Sequence, residues 1–263
     1  MNGTIKILKY EFQNILRSKW IIAYGLFFLL LTEGLFQFIG QADKVILSLM
    51  NLTLAVIPLV SIIFGAMYLY NAREFVELLL AQPINRKKIY WGMYTGIGLT
   101  LSVGFLLGVG LPFLFHGVTN SAHWATLAMM LFSGVALTLI FTALAFLISV
   151  KYEDKIKGLG FAIMLWLIFS VLYDGALLLI VYLFEDYPLD GIILGMSLAN
   201  PVDLARIVLM LQFDISAMMG YTGALFNKFF GSSLGMMISV ASLMIWMVIP
   251  FFSGLRMFRK KDF

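Results

Sequence analysis

The sequence predicts an all-α membrane protein of six spanning helices, and three observations predict it. Hydrophobic residues fill 62% of the 263 positions and charged residues only 12%, against ~25% charged in an average soluble domain. Six apolar stretches, near 20–40, 45–70, 90–115, 124–149, 158–184 and 234–257, each reach the ~20 residues that cross ~30 Å of hydrocarbon. Basic residues gather in alternate loops between them. No internal repeat is visible, so residues 1–263 read as a single transmembrane domain.

The first element precedes the spans. In TIKILKYEFQNILRSKW, residues Ile5, Leu8, Phe12, Ile15 and Leu16 share one helical face and Lys6, Gln13 and Arg17 the other. That pattern fits an amphipathic helix over 1–19 lying in the headgroup plane; the plainer alternative is a positively flanked entry into span one. Span one is too long for a signal-peptide core and has no small-residue cleavage site after it, so it is expected to be retained.

Orientation follows from the short loops. Fifteen of the eighteen Lys and Arg residues lie before span one, between spans two and three, between four and five, or after six. Lys44, Arg206 and Lys228 are the exceptions. Positive charge marks the cytoplasmic side, which predicts a multi-pass protein with both termini cytoplasmic.

Residues 71–89, NAREFVELLLAQPINRKKI, join spans two and three on that side. Phe75, Leu78 and Leu79 fall at i, i+3, i+4, while Arg73 and Glu77 are spaced to pair across the polar face. Pro83 ends this short helix, and Asn85 offers its side-chain oxygen as cap to the helix of span three. A helix this short needs a surface to pack on.

The largest loop is on the other side. Residues 185–233 carry five acids and two bases, and ~49 residues is far beyond the usual connection. Asn200-Pro201-Val202-Asp203 reads as a helix start, with Asn as cap, Pro in the first turn and an acid near the positive dipole end. Leu204, Ile207, Val208 and Leu211 then line one face, predicting an amphipathic helix on the outer membrane surface, with a second from about Ser216. Asp203, Arg206, Gln212 and Asp214 argue against a seventh span here, as does the basic C-terminus that seven spans would leave outside. The i, i+3 pair Asp203–Arg206 reads as a surface ion pair. Its helix either floats in the headgroups or, with the loop holding His116 and His123, receives an outer partner through Asn200, Asp203 and Arg206.

Several chemistries are excluded. There is no cysteine, hence no disulfide, thiolate metal site or thiol catalysis. Neither HExxH nor GxxxxGK[ST] occurs, so the chain is not expected to hydrolyse ATP, act as an enzyme or bind a cofactor of its own. His116 and His123 lack a flanking carboxylate in the sequence. Met196, Met210, Met218 and Met219 have thioethers that suit Cu(I), but their spacing fits packing better than a compact metal site. Two acids fall inside spans, Glu33 in the outer half of span one and Asp174 near the middle of span five. A carboxylate at that depth is costly. With no Lys or Arg at comparable depth in a span, Asp174 is expected either to be protonated and hydrogen-bonded or to face a wet cavity or subunit seam.

The motif E-x-L-L-x-x-P-x-x-R-x-x-I-x-x-G from Glu77 to Gly92, six spans and the tail LRMFRKKDF together resemble permease subunits of type-two ABC transporters. Phe75 stands where that family often has Gly, and Met93 where it often has Lys. Within the family, Trp166, Phe169 and Asp174 in span five and the run NPVDLARI are similar to the permeases that serve maturation of nitrous oxide reductase. The resemblance implies a homodimer with two copies of a separate ABC ATPase, which supplies the use of ATP. It implies that Arg73, Glu74, Glu77, Leu78, Leu79, Pro83 and Arg86 couple the ATPase to the spans. It also implies a periplasmic repeat-type accessory protein, a copper chaperone, membrane lipid and no nucleic acid as the surroundings. The implied task is supply of copper or a sulfur species to a copper–sulfide centre. The alternatives are export of lipid, drug or peptide by the same fold, or an intramembrane enzyme, which would need clustered His and Glu within spans.

Overall fold

The structure, a computed structural model, describes residues 19–81, 84–117, 121–184, 189–211 and 233–261. Among them there is no strand, and six helices are long and apolar enough to cross a membrane. The expected N-terminal helix, Pro83 and the second outer helix lie outside the described residues, as does the side chain of His123.

Helix α1 (Lys19–Ile39) leads into α2 (Ala42–Asn71) through Gly40, whose φ of 70° suits glycine. The short α3 (Arg73–Leu80) follows, then α4 (Arg86–Phe115) and α5 (Ser121–Lys151). Asn85 caps α4 as the sequence predicts, its Oδ1 accepting from the Lys87 amide at 3.0 Å. Asp154 does the same for α6 (Lys155–Leu167), accepting from Ile156 and Lys157. Span five runs from α6 through a π-helical turn, Ile168–Leu172, into α7 (Tyr173–Leu183). Two short helices, α8 (Asp190–Leu198) and α9 (Pro201–Leu211), precede the last span, α10 (Ser233–Lys260).

Helix α5 is the spine of the bundle: α2, α4, α6, α9 and α10 all pack on it. Small residues permit this closeness, as expected where lipid gives helices no hydrophobic reason to associate. At Gly65 of α2 an added Cβ would lie 2.8 Å from the Ala145 Cβ of α5. At Gly108 of α4 it would lie 2.8 Å from the Gly25 carbonyl of α1. Some buried hydroxyls bond back one turn, as Thr138 does to Gly134 O at 2.8 Å and Ser149 to Ala145 O at 2.8 Å, which satisfies them within apolar surroundings.

The basic ends of the helices meet at one end of the bundle. There Lys155 Nζ donates to Asn71 Oδ1 at 2.9 Å, and Lys261 Nζ to Val150 O at 3.0 Å. Span five stands apart, with most of its large side chains exposed, among them Met164, Leu178 and Leu183.

Candidate coupling surface and buried charge cluster

At the basic end, α3 lies with Val76 and Leu79 buried and Phe75 and Leu80 partly packed. Leu78 points the other way and is 67% exposed, with Glu74 and Glu77 exposed beside it. The helix is therefore rotated from the face read in the sequence, where Leu78 was expected to pack with Phe75 and Leu79. The expected Arg73–Glu77 pair does not form. Arg73 instead donates to the Tyr152 carbonyl at 3.4 Å and stacks over the Tyr70 ring at 5.1 Å, while Tyr70 Oη donates to the same carbonyl at 2.8 Å. Arg86 also turns inward: its Nη1 donates to Arg259 O at 3.1 Å and to Lys261 O at 2.6 Å. What remains facing outward is a stripe of two acids and a leucine, Glu74, Glu77 and Leu78, on a helix whose other side is anchored.

The second site is built where span five meets α8 and α9. The π turn lets the Tyr173 amide bond Ile168 O, five residues back. The Phe169 carbonyl in that turn accepts from Asn200 Nδ2 at 2.9 Å, while Asn200 Oδ1 accepts from the Val202 amide at 2.9 Å. One wholly buried side chain thus caps α9 and fastens it to span five. Tyr173 Oη donates to Met196 O at 2.7 Å, and from α10 both Trp246 Nε1 (3.1 Å) and Ser242 Oγ (3.3 Å) donate to Leu198 O.

These contacts fix the path of the chain. The carbonyl of Leu198 meets α10 about 14–20 Å along its length, at 1.5 Å per residue, so the bend between α8 and α9 lies inside the bundle. From Asn200 to Arg206, the partner on span five moves from Phe169 to Asp174, towards that span's non-basic end. The helices α8 and α9, bent by 110° at their junction, form a hairpin packed into the bundle. This corrects the expected outer-surface helix. Val202, Leu204, Ala205, Ile207, Val208 and Leu209 are all buried, so α9 is a core helix on all but the face of Arg206 and Met210, which are partly exposed.

Its charges are compensated from another element. Arg206 Nη1 lies 2.7 Å from Asp174 Oδ2 and 3.0 Å from Asp203 Oδ1. The side chains are 22% (Arg206), 35% (Asp174) and 9% (Asp203) exposed. Asp174 therefore has a cation at its own depth, contrary to the expectation of none, because Arg206 arrives on a hairpin and not on a span. Asn200 and Asp203 are buried and present nothing to an outer partner, and the Asp203–Arg206 pair is no surface pair.

The end opposite the basic loops holds a looser contact. Glu33 Oε1 of α1 stands 3.6 Å from His116 Nε2, and His116 stacks on Phe36 with centroids 4.3 Å apart. A carboxylate thus does flank His116, from a different span. Among the described residues no three His, Asp or Glu side chains come together as a metal site.

Two comparisons with known proteins bear on this arrangement. The family described as ABC-2 family transporter protein matches residues 5–263. The chain belongs to that family. It is 26% identical to the probable ABC transporter permease protein NosY of Stutzerimonas stutzeri, over 95% of this chain and 93% of that one. It is 28% identical to the protein of the same description from Pseudomonas aeruginosa, over 80% and 82% respectively. The chain is thus a multi-span ABC transporter permease of the ABC-2 family. In this setting Tyr173, Ser242, Trp246 and Lys261 are positioning residues that sequence reasoning passed over. For Tyr173 and Trp246 the signal was an aromatic polar tip within the apolar stretches, which usually finds a partner when buried.

Proposed function

We propose that this permease is the membrane subunit of an ATP-driven transporter, with a separate ATPase docking on the stripe Glu74, Glu77 and Leu78. The observation that carries the reading is Leu78, a large apolar side chain held outward beside two exposed acids on a helix otherwise anchored to the bundle. The clustering of basic residues at that end supports a cytoplasmic orientation in a bacterial inner membrane, with both termini inside. A homodimer follows from one set of six spans per chain. Its seam lies along span five, because an ion pair with Asp174 one-third exposed is unfavourable against lipid.

The similarity to NosY permeases supports a role in nitrous oxide reductase maturation, in supplying copper or a sulfur species. An outer accessory protein and a copper chaperone are the expected partners. Since Asn200 and Asp203 are buried, the accessory protein meets other residues of the outer face, His116 among those exposed there.

The test is co-purification of the ATPase from membranes. Fully burying a leucine contributes about 1.5–3 kcal/mol, so Leu78→Asp is expected to weaken ATPase retention by about tenfold or more, with permease yield unchanged. Glu77→Lys, reversing charge on the same stripe, acts in the same direction. Full retention by both variants sinks the docking reading.

A further inference from the structure

We infer that Arg86 and Lys261 form a clasp that makes the last span follow the coupling helix. The inference rests on the docking reading above and adds the route by which movement leaves α3.

The last span ends in Arg256, Arg259, Lys260 and Lys261, a run that should repel another cation. Arg86 nevertheless reaches into it and takes two backbone carbonyls, Arg259 O and Lys261 O. A helix C-terminus leaves such carbonyls without amide partners and carries partial negative charge, and the guanidinium offers several donors in a fixed fork. The chain's own proximity does not explain the contact, since 173 to 175 positions separate donor from acceptor.

Lys261 extends the tie. Its Nζ donates to Val150 O at 3.0 Å and lies 3.5 Å from Glu153 Oε1, in the turn joining α5 to span five. Arg73 and Tyr70 hold the Tyr152 carbonyl in that same turn. Arg73 and Val76 of α3 share a hollow with Ser149, Val150, Phe258 and Lys261. The coupling helix, the start of α4, the α5–α6 turn and the end of α10 are thus one hydrogen-bonded unit. Arg86 and Lys261 are its links to α10, turned away from the docking stripe. A push on α3 then reaches α10 through the α5–α6 turn and the start of α4.

The absence of cysteine allows labels to be placed on the full permease–ATPase complex in nanodiscs. Spin labels at Leu30→Cys and Phe252→Cys, both exposed, report α10 against α1. Labels at Leu30→Cys and Ala81→Cys report the end of α3. A non-hydrolysable ATP analogue is expected to shift both distances in the parent complex. Arg86→Ala should keep the Leu30–Ala81 shift and ATPase co-purification while losing the Leu30–Phe252 shift. Arg86→Lys, which keeps one donor group, should restore part of it. Lys261→Gln carries the same expectation and serves wherever Arg86→Ala gives no monodisperse complex. An undiminished Leu30–Phe252 shift in the variants overturns the clasp and leaves Arg86 as a helix cap. So does a parent complex in which α3 moves and α10 does not. Loss of ATPase binding by Arg86→Ala also overturns it, because the residue would then act at the docking surface. If neither label pair moves in the parent, the docking reading fails and the clasp falls with it.

Discussion

Replacing Arg206 by Met should destabilise the permease far more than removing either acid it serves. The guanidinium is the shared partner of Asp174 and Asp203, at 2.7 and 3.0 Å. Removing one partner of a buried pair costs about 3–5 kcal/mol, because the remaining charge stays uncompensated. Asp203, with its side chain 9% exposed, falls in that regime. Asp174 is 35% exposed, so its share is discounted towards the ~1 kcal/mol ceiling of solvent-accessible pairs. Asp203→Leu alone leaves Arg206 still paired with Asp174 and should cost less than Arg206→Met. The double variant Arg206→Met, Asp203→Leu should recover much of the loss, as apolar replacement of a buried pair often does. At about 2–4 °C per kcal/mol for a chain of this size, Arg206→Met lowers the midpoint by about 6–20 °C. Thermal melting of detergent-purified protein, followed by size-exclusion chromatography, measures it. A single variant that melts within about 2 °C of the parent would refute the buried cluster, as would a double variant no better than Arg206→Met.

Other outcomes follow from the same packing. Asp174→Asn keeps an acceptor for Arg206 and, on the proposed role in reductase maturation, should support it better than Asp174→Leu, with both expressed at parental levels; reductase activity in whole cells reads this out. Gly65→Val brings side-chain atoms against Ala145 and should cost about 1–3 kcal/mol, seen as a lower melting midpoint, whereas valine at exposed Leu30 should not. Arg206→Glu places three acids together and should lose the ATPase and any outer partner equally, since the fault lies in the fold; selective loss of one partner in pull-downs would speak against that.

The spans were legible in the sequence because burial in lipid demands long apolar runs, and those runs end at Asn71, Phe115, Lys151 and Leu183, close to where the chain was expected to leave the membrane. The caps at Asn85 and Asn200 were legible too, since a cap is a local bond within two or three residues. The hairpin was not. A reading that scores each segment alone counts Asp203 and Arg206 as evidence against the interior, while their compensation comes from Asp174, distant in sequence. The face of α3 was misread for a related reason. Eight residues fit more than one helical stripe, and the choice between Leu78 and Val76 is made by the hollow beneath, to which α5 and α10 contribute.

The last span is the element on which the two sites converge. At its basic end, Arg86 holds the terminal carbonyls of α10. Further along, Trp246 and Ser242 hold the Leu198 carbonyl at the bend of the hairpin. A helix is stiff along its axis, though Pro250 removes one backbone bond of α10 between these two points. Displacement imposed at Arg86 therefore reaches Leu198 through a helix with a single weak point. From there Asn200 passes it to the Phe169 carbonyl in the π turn, a point where span five already departs from regular helix. Trp246→Phe keeps the ring and removes only the indole donor. It should thus leave the folding stability within about 1.5 kcal/mol of the parent's, leave ATPase binding intact and lower the maturation activity proposed above. Parental activity in Trp246→Phe combined with Ser242→Ala, which removes the second donor to that carbonyl, would show that the bend of the hairpin moves independently of α10.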